Sequence, residues 1–526
     1  MLLGNELRRL TQRCPHREAV VFEERRWSFR QLNAEVNRLA HALAALGVGA
    51  GDRVALSLSN RPELFTAYFA AQKLGAVAVL LNYSLTAGEL SFIGDNSRPR
   101  VWFCDARTAE AVAQAAASVV GVEHWVYCGA GTRFARALGY DDLLAASSDA
   151  EPPPPPIDSA APSLIMYTSG TTGRPKGVVL SHAAQWINSM LMIAELGFTA
   201  SDRPLQIAPL FHVAAFHVVA LPVLFVGGSN IVIQKYEPEQ VASWIESHGA
   251  TTVLGAPTHF ELWSATGQSL AKPLREKLRH VIITGAPARL DTIHWITERV
   301  SPRLWDVYGQ TEACSLITIV PPDQTHRMSA VNCIGRPLLG MDVALVPEGS
   351  TVCEGLATSG RPEQGELIAR GPKLMNHYYR LPDRTKQAIE DGWLRTGDLV
   401  KVDEDGYYYY LGRVDDMIIT GGENVYPVEI EEFLLTCPGV NDCVVVGLPD
   451  DTWGQIITAY IVPQTGVYDR ARVDQLAKQS LAPHKRPRRW HVIDEIPRNP
   501  AGKILVRKLR ELGGPSREQG EADERF

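Results

Sequence analysis

Hydroxyls, glycines and one lysine follow one another along Thr168-Ser169-Gly170-Thr171-Thr172-Gly173-Arg174-Pro175-Lys176-Gly177. Glycines let backbone N–H groups approach an anion closely, and small hydroxyls add donors. Lys176 supplies a mobile point charge. This is the chemistry of a phosphate-binding loop. It is not a Walker A loop, because no glycine directly precedes Lys176 and no serine or threonine directly follows it. The plain alternative is a surface loop rich in Gly, Ser and Thr, from which the length and residue order of this stretch set it apart.

Other stretches carry complementary chemistry. In Asp306-Val307-Tyr308-Gly309-Gln310-Thr311-Glu312 the tyrosine can stack on adenine and the threonine can hold a phosphate oxygen. The carboxylate can take part in binding magnesium, a hard cation that prefers oxygen ligands and often bridges phosphates. A capped turn before a helix is the plain alternative there. His280 to Pro287 reads as a strand ending in small residues, a weak signal alone. Gly392 to Asp398 places one carboxylate after a turn, and Pro497 to Lys503 places one lysine in a Gly/Pro loop. A lone aspartate or a loop lysine is most often solvated. Thr420-Gly421-Gly422-Glu423-Asn424 lacks the third spaced glycine of a dinucleotide fingerprint.

Taken in order, these stretches resemble the motifs of the adenylate-forming family, which includes acyl-CoA synthetases, nonribosomal-peptide adenylation domains and luciferases. The resemblance runs from about residue 5 to residue 510. It implies that Thr168, Ser169, Gly170, Thr171, Thr172 and Lys176 hold the β- and γ-phosphates of ATP. It makes the turn Gly285-Ala286-Pro287 the border of the adenine. Tyr308 is then the adenine stack, Thr311 a phosphate contact and Glu312 the Mg2+ ligand, with Asp306, Val307 and Gly309 in the same nucleotide-binding segment. Asp398 resembles the ribose-binding aspartate and Arg413 its companion. Asp415 matches the hinge about which a small domain rotates. Lys503 matches the catalytic lysine, whose expected task is to stabilise charge on the carboxylate and α-phosphate as they join. Thr168 and Glu312 complete the implied catalytic set. Gly421 and Gly422 resemble the segment lining the pantetheine tunnel of thioester-forming members. Trp453 reads equally as packing or as a stack on the adenine of coenzyme A.

The implied activity is an acid–thiol ligation. ATP and a carboxylic acid give an acyl adenylate and pyrophosphate, and the coenzyme A thiol then gives acyl-CoA and AMP. The acyl pocket is expected from Pro209 to Ala215, from Gly255 to Thr258 and around Gly309. His212 matches an aromatic position that gates the carboxylate, with a core histidine as the alternative. Val213, Ala214, Ala215, Gly309, Ala313 and Cys314 are apolar or small, and no lysine or arginine stands among them. Such a pocket suits an apolar acid, whether aryl, alicyclic or medium-to-long aliphatic. Two rivals stand beside this reading. One is an adenylating enzyme that loads an acyl carrier protein, and the other is a non-catalytic homologue that keeps the fold.

These residues need elements to position them. Glu35 to Leu46 has helical spacing, Val54 to Leu58 reads as a strand, Asn60 as the cap of a helix running from Pro62 to Leu74, and Ala76 to Leu81 as another strand. Strand, helix, strand with short connections implies a parallel sheet with helical crossovers. Pro152 to Pro156 reads as a stiff surface connector. Candidate strands Leu205–Ala208, Ser229–Ile233, Thr252–Leu254, His280–Ile283 and Arg303–Val307 resume the alternation, and ligands bind beyond the carboxyl ends of such strands. Leu399 to Leu411 reads as a hairpin around Asp403-Glu404-Asp405-Gly406. The expected fold is α/β: a large N-terminal domain, 1–414, with parallel sheets and a small β-rich part, then a small mobile α+β domain, 415–526, with a disordered tail from about Gly513.

The chain has 526 residues, 45% of them apolar and 21% charged, which suits a globular protein of two or more domains. A net charge of −7 argues against a general nucleic-acid binder. The eight cysteines are scattered, with no C-x-x-C pair, and suit a reducing compartment. No uninterrupted apolar stretch reaches the roughly 18 residues of a membrane span. The expected location is cytoplasmic. The resemblance leaves a homodimer open.

Overall fold

The computed structural model describes residues 1–131, 133–168, 174–329, 332–357, 362–421, 423–450, 452–464, 466–498 and 504–513. The sequence expectations for Ser169, Gly170, Thr171, Thr172, Gly422, Lys503 and the tail beyond Gly513 therefore lie outside the described residues. By internal contacts the chain divides into two units. One comprises Met1–Ala344, Thr351–Ala357 and Ile368–Thr396, and the other comprises Leu345–Ser350, Thr358–Leu367 and Gly397–Phe526.

In the first unit, apolar runs form central strands because helices cover both sheet faces. One sheet has the order His377–Tyr378, Lys176–Ser181, Pro162–Thr168, Val77–Leu80, Arg53–Ser57, Val101–Asp105, His124–Cys128, Ala137–Gly139. It is parallel from Pro162–Thr168 onward, and Lys176–Ser181 runs antiparallel to Pro162–Thr168 with Thr168 opposite Lys176. The phosphate-loop stretch thus joins two neighbouring strands. A second run of strands has the order Cys333–Pro337, Ser315–Val320, Leu304–Gln310, His280–Thr284, Thr252–Gly255, Pro204–Gln206, Asn230–Val232, Glu18–Phe22, Arg25–Ser28. It is parallel from Leu304–Gln310 to Glu18–Phe22. All five strands expected between 205 and 307 are present in it.

Two local expectations are corrected, and one alternative reading falls away. The helix expected from Glu35 begins at Phe29, where Ser28 and Gln31 form a reciprocal capping box. Helix Pro62–Leu74 is capped at Arg61 rather than Asn60. The Asn60 amide is diverted: it donates to the carbonyls of Gln206 (3.2 Å) and Ala208 (3.0 Å) and accepts from Leu210 N (2.7 Å). The segment after Asp306 does not lead to a helix. Strand Leu304–Gln310 reverses through one 3-10 turn, Thr311–Ala313, into the antiparallel strand Ser315–Val320.

The connector before Pro162 forms no strand, as expected of consecutive prolines. It is anchored by the buried Lys73, whose ammonium donates to Glu151 Oε1 (2.6 Å), Asn37 Oδ1 (2.6 Å) and Asn33 Oδ1 (2.8 Å).

The second unit holds the Trp393–Val402 and Tyr408–Arg413 hairpin from Gly397 onward, and a small sheet ordered Glu423–Val425, Ile418–Thr420, Gly454–Pro463, Val440–Asp450. Alternation along Val440–Asp450 sends Cys443 and Val445 to one face and Val444, Val446 and Leu448 to the other. The first face packs with Ile430 and Leu434 of helix Pro427–Leu435, the second with Leu509 of helix Val506–Gly513. Among the described residues no helix is long and apolar enough to cross a membrane. None of the eight cysteines forms a disulfide.

Candidate active site

The parallel strand His280–Thr284 ends alongside Val307 of strand Leu304–Gln310. Thr284 registers with Val307 and donates its hydroxyl to the Val307 carbonyl at 2.9 Å. The next residues beyond that pair are the turn Gly285-Ala286-Pro287 after the first strand and Tyr308 within the second. Gly285 and Pro287 are exposed, and Ala286 and Tyr308 half-buried. Asp306 stands earlier in the strand, opposite Ile283. Burial pushes its carboxyl up to about 7.

Gly309 can be nothing larger. A Cβ there would lie 1.9 Å from Ser315 O and 2.7 Å from Leu316 Cα, because the returning strand crosses directly over it. The reversal also forces Cys314 (φ 52°) and Ser315 (φ 122°) into positive φ. Its reward is the placement of Thr311 and Glu312, which are 9% and 7% exposed.

A carboxylate so enclosed requires partners. Tyr378 Oη donates to Glu312 Oε1 at 2.8 Å. Lys176 Nζ in turn donates to the same Tyr378 oxygen at 3.4 Å and lies 4.6 Å from its ring centroid. The lysine of the phosphate-loop stretch and the carboxylate of the 306–312 stretch are thereby joined through one phenol. Thr168, opposite Lys176 across the strand pair, donates its hydroxyl to the Lys176 carbonyl at 3.5 Å.

Neither Tyr378 nor its strap was singled out from sequence. Residues 373–379 cross from one stretch to the other. Met375 N donates to Glu312 O (2.8 Å), Asn376 N to Val179 O (2.8 Å) and Tyr379 N to Gly177 O (2.7 Å). Lys373 is fully buried and donates to the carbonyls of Ala313 (2.9 Å) and Leu316 (2.5 Å) on either side of Cys314. Burial lowers its ammonium to about 8 and pushes the Cys314 thiol up to about 12. A lysine thus does stand beside the expected acyl-pocket residues, engaged with backbone carbonyls.

Among the described residues no group of three or more His, Cys, Asp or Glu could hold a metal ion together. Glu312 offers a single carboxylate. That fits Mg2+, which keeps several waters and takes one or two carboxylates plus substrate phosphates.

On the acyl side, His212 is half-buried and its Nδ1 accepts from Ala214 N at 3.2 Å, at the start of the π-helical turn Ala214–Ala220. Asn60 pins the preceding residues through Leu210 N. Val213 is buried, and Ala215 and Cys314 are wholly enclosed. A buried polar chain also runs behind this wall. Tyr68 Oη donates to Gln185 Oε1 (2.7 Å), which also pairs with His217 Nε2 (2.9 Å). Asn188 donates to His217 O (2.8 Å) and accepts from Ser315 Oγ (2.7 Å). Burial lowers His217 to about 3. The apolar runs that carry these residues gave no sequence signal for them.

In the second unit Asp398 and Arg413 face each other across the hairpin, Arg413 Nη1 donating to Asp398 Oδ1 at 2.8 Å. Gly397, at φ 69°, lets the guanidinium close in: a Cβ there would meet Arg413 Nη2 at 2.9 Å. Asp415 is exposed in the 3-10 turn Val414–Asp416, next to Asp416, which accepts from Arg510 at 3.0 Å. Gly421 (φ 61°) donates its N–H to Trp453 O at 2.9 Å and sits against the indole, so a Cβ would touch the ring at 3.0 Å. The Arg488 guanidinium covers that ring at 3.8 Å. Trp453 remains 40% exposed. Either side of the Lys503 loop, Arg498 bridges Ile504 and Leu505 N donates to Pro497 O at 2.8 Å.

A family model for AMP-binding enzymes matches residues 7–379, and one for the C-terminal domain of AMP-binding enzymes matches residues 429–503. A feruloyl-CoA synthase of Amycolatopsis sp is 34% identical over 516 residues, covering 97% of this chain and 99% of the relative. An anthranilate CoA ligase solved with anthranoyl-AMP has a TM-score of 0.86 at 26% identity, with 97% of each chain covered. The O-succinylbenzoate coenzyme A synthetase of Bacillus subtilis, solved with ATP and a magnesium ion, has a TM-score of 0.82 at 29% identity, covering 96% of this chain and 99% of that one.

Proposed function

The chain belongs to the AMP-binding enzyme family, and from that membership we propose that it is an AMP-forming acyl-CoA synthetase acting on an apolar aryl acid. The observation that carries this is similarity along nearly the whole chain to ligases named for aromatic acids, over an acyl side of apolar and small residues. Alicyclic and medium-to-long aliphatic acids are the alternative substrates, and the panel below separates them.

A carboxylate oxide is a poor leaving group, so the acid must be activated before a thiol can displace it. We assign the first half-reaction to ATP bound at the carboxyl edge of strands His280–Thr284 and Leu304–Gln310. Tyr308 stacks on the adenine beside Gly285, Ala286 and Pro287, with Asp306, Val307 and Gly309 shaping that wall. Asp398, paired with Arg413, accepts from the ribose hydroxyls. Lys176, with Thr168, Ser169, Gly170, Thr171 and Thr172, neutralises the β- and γ-phosphates, and Thr311 holds a phosphate oxygen. Glu312 would hold the magnesium ion, which when bound would supply positive charge against the phosphates. Lys503 stabilises the carboxylate and α-phosphate as they join. Positioning and charge neutralisation carry most phosphorus chemistry of this kind.

The second half-reaction needs a different occupant beside the acyl carbon. We assign the change to rotation of a small domain, 415–526, about Asp415 against 1–414. It withdraws Lys503 and brings Gly421 and Gly422 to the site. A single cleft then serves two reactions. Gly421, packed against the Trp453 ring, leaves room for a narrow pantetheine chain, and Trp453 offers the adenine of coenzyme A a face. His212 gates the acid, with Val213, Ala215, Gly309 and Cys314 forming the wall behind it. The cysteines, none in a disulfide, suit a reducing compartment, and the cytoplasm is the proposed location. Homodimerisation, which the resemblance allows, is checked by light scattering.

The deciding experiment is a panel of aryl, alicyclic and aliphatic acids with ATP and either coenzyme A or phosphopantetheinylated carrier protein, read by AMP release. Aryl acids with coenzyme A should give the fastest release. Acylation of the carrier alone would overturn the coenzyme A reading. No AMP release and no pyrophosphate exchange for any acid would favour a non-catalytic homologue.

A further inference from the structure

Tyr378 is 5% exposed, and its phenol stands between two groups that come from distant stretches of the chain. It donates to Glu312 Oε1 at 2.8 Å and accepts from Lys176 Nζ at 3.4 Å. A hydroxyl has one proton to give and lone pairs to receive, so both bonds can exist at once. The surrounding backbone keeps the phenol there. Tyr378 pairs with Val178 on strand Lys176–Ser181, its N–H donates to neither partner but to Thr385 Oγ1 at 3.0 Å, and Met375 N holds the Glu312 carbonyl at 2.8 Å. The backbone at Tyr378 is therefore held without help from the Lys176 ammonium or the Glu312 carboxylate. Lys176 and Glu312, by contrast, have long side chains with several rotamers to lose.

Resting on the adenylation reading, we propose that Tyr378 is a positioning residue that sets Lys176 and Glu312 on one hydrogen-bonded chain, so that the polyphosphate cation and the metal-binding carboxylate meet magnesium–ATP pre-aligned. Without the phenol oxygen, two oppositely charged groups close to one another are released to pair directly, and nucleotide binding must first separate them. The cost falls on the half-reaction that uses ATP and leaves the thioester half-reaction alone.

The test is Tyr378→Phe, which keeps the ring, the strand pairing and the Thr385 bond. Pyrophosphate exchange is measured against magnesium and ATP concentration, and thioester formation is measured from supplied acyl adenylate. The magnesium concentration for half-maximal exchange and the KM for ATP should each rise roughly tenfold, the size expected for one lost hydrogen bond to a charged group. Thioester formation and thermal stability should stay within about twofold and a few degrees of wild type. In the double variant with Glu312→Gln, the phenylalanine should add little, because the two act as one unit. Equal losses in both half-reactions, or full additivity with Glu312→Gln, would mean a structural role and overturn the proposal. Unchanged magnesium and ATP dependence in Tyr378→Phe, with active wild type, would overturn it alone. A wild-type chain that neither exchanges pyrophosphate nor binds ATP would overturn the adenylation reading and this proposal together.

Discussion

The turn that carries Thr311 and Glu312 and the segment that carries Gly421 and Trp453 are built in opposite ways. The first is closed on every side. Gly309 admits the returning strand, Lys373 ties the carbonyls of Ala313 and Leu316, Met375 holds the Glu312 carbonyl, and Tyr378 holds its carboxylate. The second is open: Gly421 leans on an indole that is 40% exposed and covered by one guanidinium. Groups that must stabilise charge work best when fixed in advance and shielded from water, since no reorganisation is then needed as charge develops. A surface that admits a long, narrow chain needs room more than rigidity. The difference matches the two half-reactions assigned above.

The comparison breaks most sharply at Lys503. If the enclosed turn prepares adenylation and the lysine supplies the final charge, Lys503→Ala should lower pyrophosphate exchange by roughly 10²–10³-fold, the scale of removing one oxyanion donor. Thioester formation from supplied adenylate should change little. Equal losses in both would refute the assigned role and dissolve the distinction between the halves.

A smaller effect tests the enclosure itself. Gly309→Ala puts a methyl 1.9 Å from Ser315 O, where backbone rather than a flexible side chain must move. Overpacking of this kind costs about 1–3 kcal/mol. The displaced turn should carry Glu312 with it, lowering exchange by about tenfold and the melting temperature by a few degrees. Gly421→Ala, which meets only the edge of the exposed Trp453 ring, should leave exchange unchanged. If both substitutions act alike on exchange, the enclosed and open regions do not differ in the way described.

The pH dependence of stability sharpens the same contrast. His217 lies in the polar chain beneath the enclosed turn, and burial lowers it from 6.5 to about 3. The folded state therefore binds fewer protons there than the unfolded chain. The resulting stability is present above about pH 6.5 and is lost progressively as pH falls toward 3. His217→Gln should flatten that part of the acid unfolding curve, measured by denaturant titration between pH 4 and 7. An unchanged slope would place the acid sensitivity elsewhere.

What was legible in the sequence follows from what local pattern can carry. Buried parallel strands announce themselves as apolar runs, and each strand between Leu205 and Val307 was placed within a few residues. The 168–177 and 306–312 stretches stand out in sequence because their residue types are dense in chemistry over a short span. Tyr378 was not, because its meaning depends on Glu312, 66 residues away in sequence, and on Lys176, 202 residues away. Lys373 looks like any exposed lysine until the fold buries it against two carbonyls. Asn60 looks like a helix cap, and its amide is drawn away by Gln206, Ala208 and Leu210, partners that no local window contains. The reversal after Gln310 was missed for the same reason: only the backbone crossing over Gly309 reveals why that glycine is there.

The last and smallest test falls on the open region. Trp453 reads from sequence as packing or as a stacking face, and the geometry divides the two readings by area. One part of the ring is covered by Gly421 and Arg488, while 40% of the residue stays in water. A buried packing role would make Trp453→Ala costly to the fold. A stacking role would leave the fold nearly intact and raise the KM for coenzyme A by about fivefold or more, since one aromatic–base stack is worth about 1–3 kcal/mol. Removing the adenine from the acceptor separates them. With pantetheine in place of coenzyme A, wild type and Trp453→Ala should become equal, because neither has a base to stack. A variant that stays impaired with pantetheine would assign the indole to packing and leave the open surface without its nucleotide contact.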